Sequence, residues 1–141
     1  MAGILIVAHT PVASAMLGFA EHTYGVLPER VRAVDIPPHE DAKISFDRVV
    51  AAAKEVDTGK GILILTDVMG ATPANVASRL VGLSTVSSLS VGSQVIVLTG
   101  MNLPMLMRAV SYRSDVLETL AQKALQGGIN GILRLGTSIN V

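Results

Sequence analysis

The sequence predicts an open α/β fold: a doubly wound sheet of parallel strands with helices on both faces. Three observations predict it. Short aliphatic runs recur along the 141 residues, stretches of helical spacing separate them, and prolines punctuate the strand ends. Half of the chain is apolar and only 16% is charged, which suits one sizeable core at this length.

The elements follow in order. Gly3–Ala8 (GILIVA) reads as a first strand, nearly continuous in Ile, Leu and Val, as a parallel strand covered on both faces requires. Leu17, Ala20 and Tyr24 then share one helical face. Val31–Ile36 (VRAVDI) is more mixed and suits a strand nearer an edge. Phe46, Val49, Val50, Ala53 and Val56 form a second helical stripe before Gly61–Thr66 (GILILT), the third strand. Val76, Ala77, Leu80 and Val81 form the third stripe, and Gln94–Thr99 (QVIVLT) the fourth strand. Val116, Leu117, Leu120, Ala121, Ala124 and Leu125 make a last stripe, which Gly127-Gly128 is expected to terminate. A short final strand, about Gly131 to Leu135, is expected after it. With no internal repeat and no interdomain linker, the alternation gives one domain spanning residues 1–141. The segment Gly82–Ser93 (GLSTVSSLSVGS), with five serines and no charge, reads as a surface loop, a functional lid being the second reading.

Composition removes several classes of function. Eleven basic residues balance eleven acidic ones, so bulk electrostatics gives no nucleic-acid surface. Tyr24, Tyr112, Phe19 and Phe46 are the only aromatics, too few for a stacking platform. Absence of cysteine removes disulfides, thiolate chemistry and Cys-based zinc sites. The apolar runs are too short to cross a bilayer, and no cleavable leader is visible, so no membrane insertion and a cytosolic location are expected.

Proline placement locates a site. Pro11 follows the first strand, Pro37 and Pro38 the second, Pro73 the third and Pro104 the fourth; only Pro28 lies elsewhere. These turns lie at the carboxyl edge of the sheet, where open α/β proteins bind ligands. Thr10-Pro11 and Thr72-Pro73 read as helix starts, threonine capping and proline taking the first helical position. Helix N-termini converging there would offer N–H groups and partial positive charge to an anion. Sharpened strand–helix turns alone would also explain these prolines.

His9 follows the first strand and Asp67 the third. With strand order 2-1-3-4 those strands are neighbours and the two side chains meet at the switch point. A carboxylate on one ring nitrogen fixes the tautomer and turns the other nitrogen's lone pair outward, the arrangement of a histidine nucleophile. The alternative is a pair of local hydrogen-bonding residues. His22 reads as a surface or packing residue. His39, just before Glu40 and Asp41, sits at an ordinary helix start; a metal site from His9, His39 and Asp67 is conceivable, but no compact ligand motif supports it. GxGxxG, Walker and GxSxG signatures are missing.

Three segments resemble a known family: ILIVAHTPVA (Ile4 to Ala13), ILILTDVMGATPANVASRL (Ile62 to Leu80) and LTGMNLPMLMRAV (Leu98 to Val110). Together they are similar to the mannose-type (mannose/fructose/sorbose) enzyme IIA of the bacterial phosphoenolpyruvate-dependent phosphotransferase system. The resemblance implies a cytoplasmic phosphotransferase subunit in which His9 takes a phosphoryl group from the carrier HPr and passes it to enzyme IIB. It implies that Asp67 bonds the active histidine and that Thr72 stands beside the phosphate. It also implies a 2-1-3-4 parallel sheet with a fifth, antiparallel strand exchanged across a homodimer, a role open to the segment near Gly131–Leu135. Ala71 replaces the second glycine of the family's usual pair, Met69 stands where a larger aromatic is frequent, and the serine-rich loop looks long. No fused IIB domain is expected.

On this reading, backbone amides near Thr10 and around Gly70, Ala71 and Thr72, with the Thr72 hydroxyl, would hold the phosphate oxygens. Met69 and Met101 would flank the site and dock the carrier, their plainer role being core or rim packing. No metal or other cofactor is expected when the donor is already a phosphohistidine. A regulatory phosphorylation sensor, or a binding module in which His9 is structural, fits the same residues. The sugar cannot be chosen here, because nothing in the chain could stack on one.

Overall fold

The computed structural model describes residues 1–83 and 93–136. Its elements run β1 (Gly3–His9), α1 (Val12–Tyr24), β2 (Val31–Ile36), α2 (Ala42–Val56), β3 (Ile62–Thr66), α3 (Thr72–Leu83), β4 (Val95–Leu98), α4 (Leu103–Ser111) and α5 (Leu117–Asn130). The four strands are parallel and lie in the order β2-β1-β3-β4. The two inner strands explain the two purest aliphatic runs: Ile4 to Ala8 and Ile62 to Leu65 are fully buried, since helices cover both faces. On one face Ile4, Ile6, Ala8, Leu63 and Leu65 meet α1, α4 and α5. On the other, Leu5, Val7, Ile62 and Ile64 meet α2 and α3. β2, the more mixed run, is an edge strand as its composition suggests, and β4 is the other edge.

Caps set the helix ends. α1 stops at Gly25, whose φ of 78° is the left-handed conformation glycine adopts without strain. Asp41 caps α2 by accepting the Lys43 N–H at 3.1 Å. α4, nine residues that the apolar stripes do not announce, starts at Asn102, whose side chain accepts the Met105 N–H at 3.0 Å, with Pro104 in the first turn.

Two sequence expectations need correction, and two further segments differ in part from theirs. Thr10 does not cap α1: the N-cap is Pro11, and no side chain of that residue bonds the helix. Gly127-Gly128 does not end α5, which continues to Asn130 with Gly131 as its C-cap. Those glycines are buried against α4, where a side chain at either would run into Arg108 or Met105; they permit close helix packing. Residues 132–135 form neither helix nor strand in this chain, and they leave Ile132, Leu133 and Leu135 exposed. Of the serine-rich segment, 82 and 83 belong to α3, 84–92 lie outside the described residues, and Ser93 is buried and donates to Asp57 at 2.8 Å. Among the described residues no helix is long and apolar enough to cross a membrane.

Candidate active site at the carboxyl edge of the sheet

The sheet order brings the ends of β1 and β3 together, since Val7 faces Thr66 in register. His9 and Asp67 leave these two strand ends and touch. The carboxylate oxygen Oδ2 of Asp67 lies 2.7 Å from His9 Nδ1 and also accepts the His9 backbone N–H at 2.9 Å. Its other oxygen, Oδ1, accepts the Val68 N–H at 2.8 Å. With the acid ionised, Nδ1 carries the proton and Nε2 is left as the lone-pair nitrogen. The His9 side chain is 49% exposed against 14% for Asp67, so the ring is reachable while its anchor is sheltered.

Two opposing effects set the acidity of Asp67. Partial burial raises its pKa, but the hydrogen bonds from the His9 N–H, the His9 ring and the Val68 N–H, helped by coulombic attraction to His9, outweigh burial and hold the carboxyl below its ordinary value. A carboxyl depressed by folding adds stability above its unfolded value, near pH 3.9, and loses it as pH falls through the lower folded value. Acid unfolding curves of the native chain and of Asp67→Asn are therefore expected to converge below about pH 4. A constant gap down to the acid limit would show that Asp67 is not held in its ionised form.

The other predicted residues divide. Thr10 is exposed at the same edge, but its amide is bonded to the Ile36 carbonyl at 3.2 Å. It completes the β1–β2 ladder and cannot also serve an anion. Gly70 takes a φ of 87°, the turn that swings the chain from β3 into α3. The Ala71 amide closes the same turn on the Val68 carbonyl at 3.3 Å, so it too is engaged. The first bond of the α3 ladder runs from the Asn75 N–H to the Ala71 carbonyl. The Thr72 amide precedes that ladder, where a helix has N–H groups without internal acceptors. Its side chain is exposed. Met69 is 79% exposed, whereas Met101 is partly buried against the core of the α1, α4 and α5 face. His22 is exposed on α1, and His39 is exposed in the turn after β2. No group of three His, Cys, Asp or Glu side chains capable of holding a metal is found among the described residues.

Sequence reasoning missed two contributors, Asn75 and Asp35, and the backbone ties of the loop that holds Met101. The loop after β4 is tied to the site by the Gly100 N–H on the Asp67 carbonyl at 2.9 Å and the Met101 N–H on the Thr66 carbonyl at 3.0 Å. Asn75 reaches back from α3 to the Gly70 carbonyl at 3.4 Å. Asp35, at the end of β2, accepts the Ser14 N–H of α1 at 3.0 Å. An acidic residue closing a strand was the available signal for Asp35, and it applied there as it did to Asp67.

The family described as PTS system fructose IIA component matches residues 3–124. The mannose-specific EIIAB component of the phosphotransferase system in Escherichia coli K12 is 32% identical over 134 residues, 94% of this chain but 39% of that protein. The chain thus spans about two fifths of such relatives. The crystal structure of phosphotransferase system component EIIA from Streptococcus agalactiae superposes with a TM-score of 0.80 at 32% identity, covering 95% of this chain and 97% of that one. The mannose/sorbose-specific IIA subunit from Enterococcus faecalis shares the fold, with a TM-score of 0.79 at 20% identity over 96% of each chain. By fold and by family match together, this chain belongs to the mannose-type IIA components of the sugar phosphotransferase system.

Proposed function

We propose that the chain is a phosphohistidine carrier: His9 accepts a phosphoryl group from phospho-HPr and delivers it to a IIB partner. The observation that carries this reading is the 2.7 Å contact between His9 Nδ1 and Asp67 Oδ2 on a half-exposed ring. The Nε2 lone pair forms the new N–P bond in line as the donor's P–N bond breaks, and the donor nitrogen keeps that electron pair. Nδ1–H stays with Asp67, which stabilises the positive charge that grows on the ring. Phosphoryl transfer asks chiefly for position and for donors to the equatorial oxygens. On this reading the Gly70 and Thr72 amides and the Thr72 hydroxyl supply them. A helix end contributes about 0.3–1 kcal/mol, so the group is held but stays transferable. Exposed Val68 and Met69 offer the docking contact, a role Met101 shares less because it leans into the core. Residues 1–141 act as one such domain.

Incubation with phosphoenolpyruvate, enzyme I and HPr is expected to give one acid-labile phosphate per chain, located at His9 by mass spectrometry. An unlabelled chain beside a labelled control IIA protein would refute the reading.

We also infer a homodimer. β4 is a sheet edge, and the segment after α5 carries exposed Ile132, Leu133 and Leu135 with no strand to pair with among the described residues. Exchange of that segment onto β4 of a second copy would cover both. Sedimentation is expected to give twice the chain mass, and Leu133→Asp with Leu135→Asp to give the monomer; a monomeric native chain would exclude the exchange.

A further inference from the structure

We propose that Asp35 is a positioning residue for His9: from the neighbouring strand it caps the helix that follows the nucleophile, and so fixes the turn on which the imidazole stands. The proposal rests on the carrier reading of His9 given above. α1 begins three residues after His9, and its N-cap, Pro11, has no side-chain acceptor for the helix's first amides. Those amides need one. Asp35 Oδ1 supplies it by accepting the N–H of Ser14, the third residue of α1, at 3.0 Å across 21 positions of sequence. The Ser14 hydroxyl donates to the Pro11 carbonyl at 3.2 Å and tightens the same turn.

Asp35 faces Ala8 in register, and the next pair is His9 with Ile36. The Ile36 carbonyl takes the Thr10 N–H. The segment from His9 to Ser14 is therefore fastened on one side to β2, through Thr10 and Ser14, and on the other to Asp67, through His9 itself. The β2 end is in turn held by Arg48, which donates to the Asp35 carbonyl and to Glu40 Oε1, each at 2.9 Å. The Asp35 carboxylate also meets the positive end of the α1 dipole. An anion on His9 is then left to the amides of the β3–α3 loop.

Two substitutions separate capping from charge. Asp35→Asn keeps an oxygen for the Ser14 N–H, and Asp35→Ala removes it. With phospho-HPr as the donor, kcat of Asp35→Ala is expected to fall about tenfold at unchanged KM, because ring orientation and not docking is disturbed. Asp35→Asn is expected to return to within about twofold of the native rate. The ¹⁵N resonance of His9 Nδ1 should broaden or shift in Asp35→Ala and match the native chain in Asp35→Asn. Ser14→Pro removes the same bond from the donor side at a first-turn position that tolerates proline, and the same fall in kcat is expected, whereas Ser14→Ala, which loses only the hydroxyl bond to Pro11, should stay near the native rate. It also serves as the test if Asp35→Ala fails to fold. A native kcat in folded Asp35→Ala or Ser14→Pro overturns the proposal, as does a loss that Asp35→Asn does not restore. Failure of the native chain to accept phosphate overturns the carrier reading instead.

Discussion

His9→Ala is expected to take no phosphate: labelling by phospho-HPr should fall at least about a thousandfold, because removal of the nucleophile leaves no covalent route. The other two histidines do not substitute. His22 lies exposed on α1 and His39 in the turn after β2. Among the described residues, His9 is the histidine with a carboxylate on its ring nitrogen. The variant should keep its fold, since the lost ring is half exposed and packs into neither core. Circular dichroism and a labelling time course test both halves of this expectation. Residual labelling above about one part in a hundred would place the acceptor elsewhere.

Asp67→Ala should be the second most damaging change, lowering the rate about 10²–10³-fold. It removes both the bond that sets the tautomer and the negative charge beneath the developing imidazolium. Asp67→Asn should cost less. Three N–H groups point at this carboxylate: the His9 amide and ring at Oδ2, and the Val68 amide at Oδ1. An asparagine oxygen at the Oδ2 position keeps both His9 bonds and turns its NH₂ toward Val68. The flipped amide keeps the Val68 bond, sets its NH₂ against the His9 amide, and reaches Nδ1 only if the ring gives up its tautomer. The first orientation wins, so the tautomer survives and only the charge is lost. A charged hydrogen bond exceeds a neutral one by about 1–2 kcal/mol, which is roughly a 5- to 30-fold fall in rate. The expected order, native above Asn above Ala, is read from single-turnover quench-flow. Asn slower than Ala would mean that the amide inverts the tautomer.

The parts of the fold that were legible in the sequence are those written in local pattern. The GILIVA and GILILT runs are buried on both faces, the pattern an inner parallel strand shows. Placing His9 and Asp67 needed only the identity of the strand ends and their adjacency. The parts that were not legible depend on partners distant in sequence. Thr10 resembles a cap, yet the ladder to Ile36 claims its amide and the cap comes from Asp35. Gly127-Gly128 resembles a helix stop, yet α4 presses against it, and the small residues serve that approach. α4 itself is nine residues long; its signal was the Asn102 cap with Pro104 just inside, more than any stripe. Met101 resembles a rim residue, yet its side chain leans into the core while only its amide reaches Thr66 beside the site.

One oxygen of Asp67 grips both the main chain and the ring of the same residue. The pose of the imidazole is therefore copied from the two innermost rails of the sheet, and it does not depend on whichever visitor covers Val68 and Met69. In the carrier role proposed above, a donor arriving and an acceptor departing use one seat without re-aiming it, and the rim can be reshaped for new visitors while the chemistry beneath stays still.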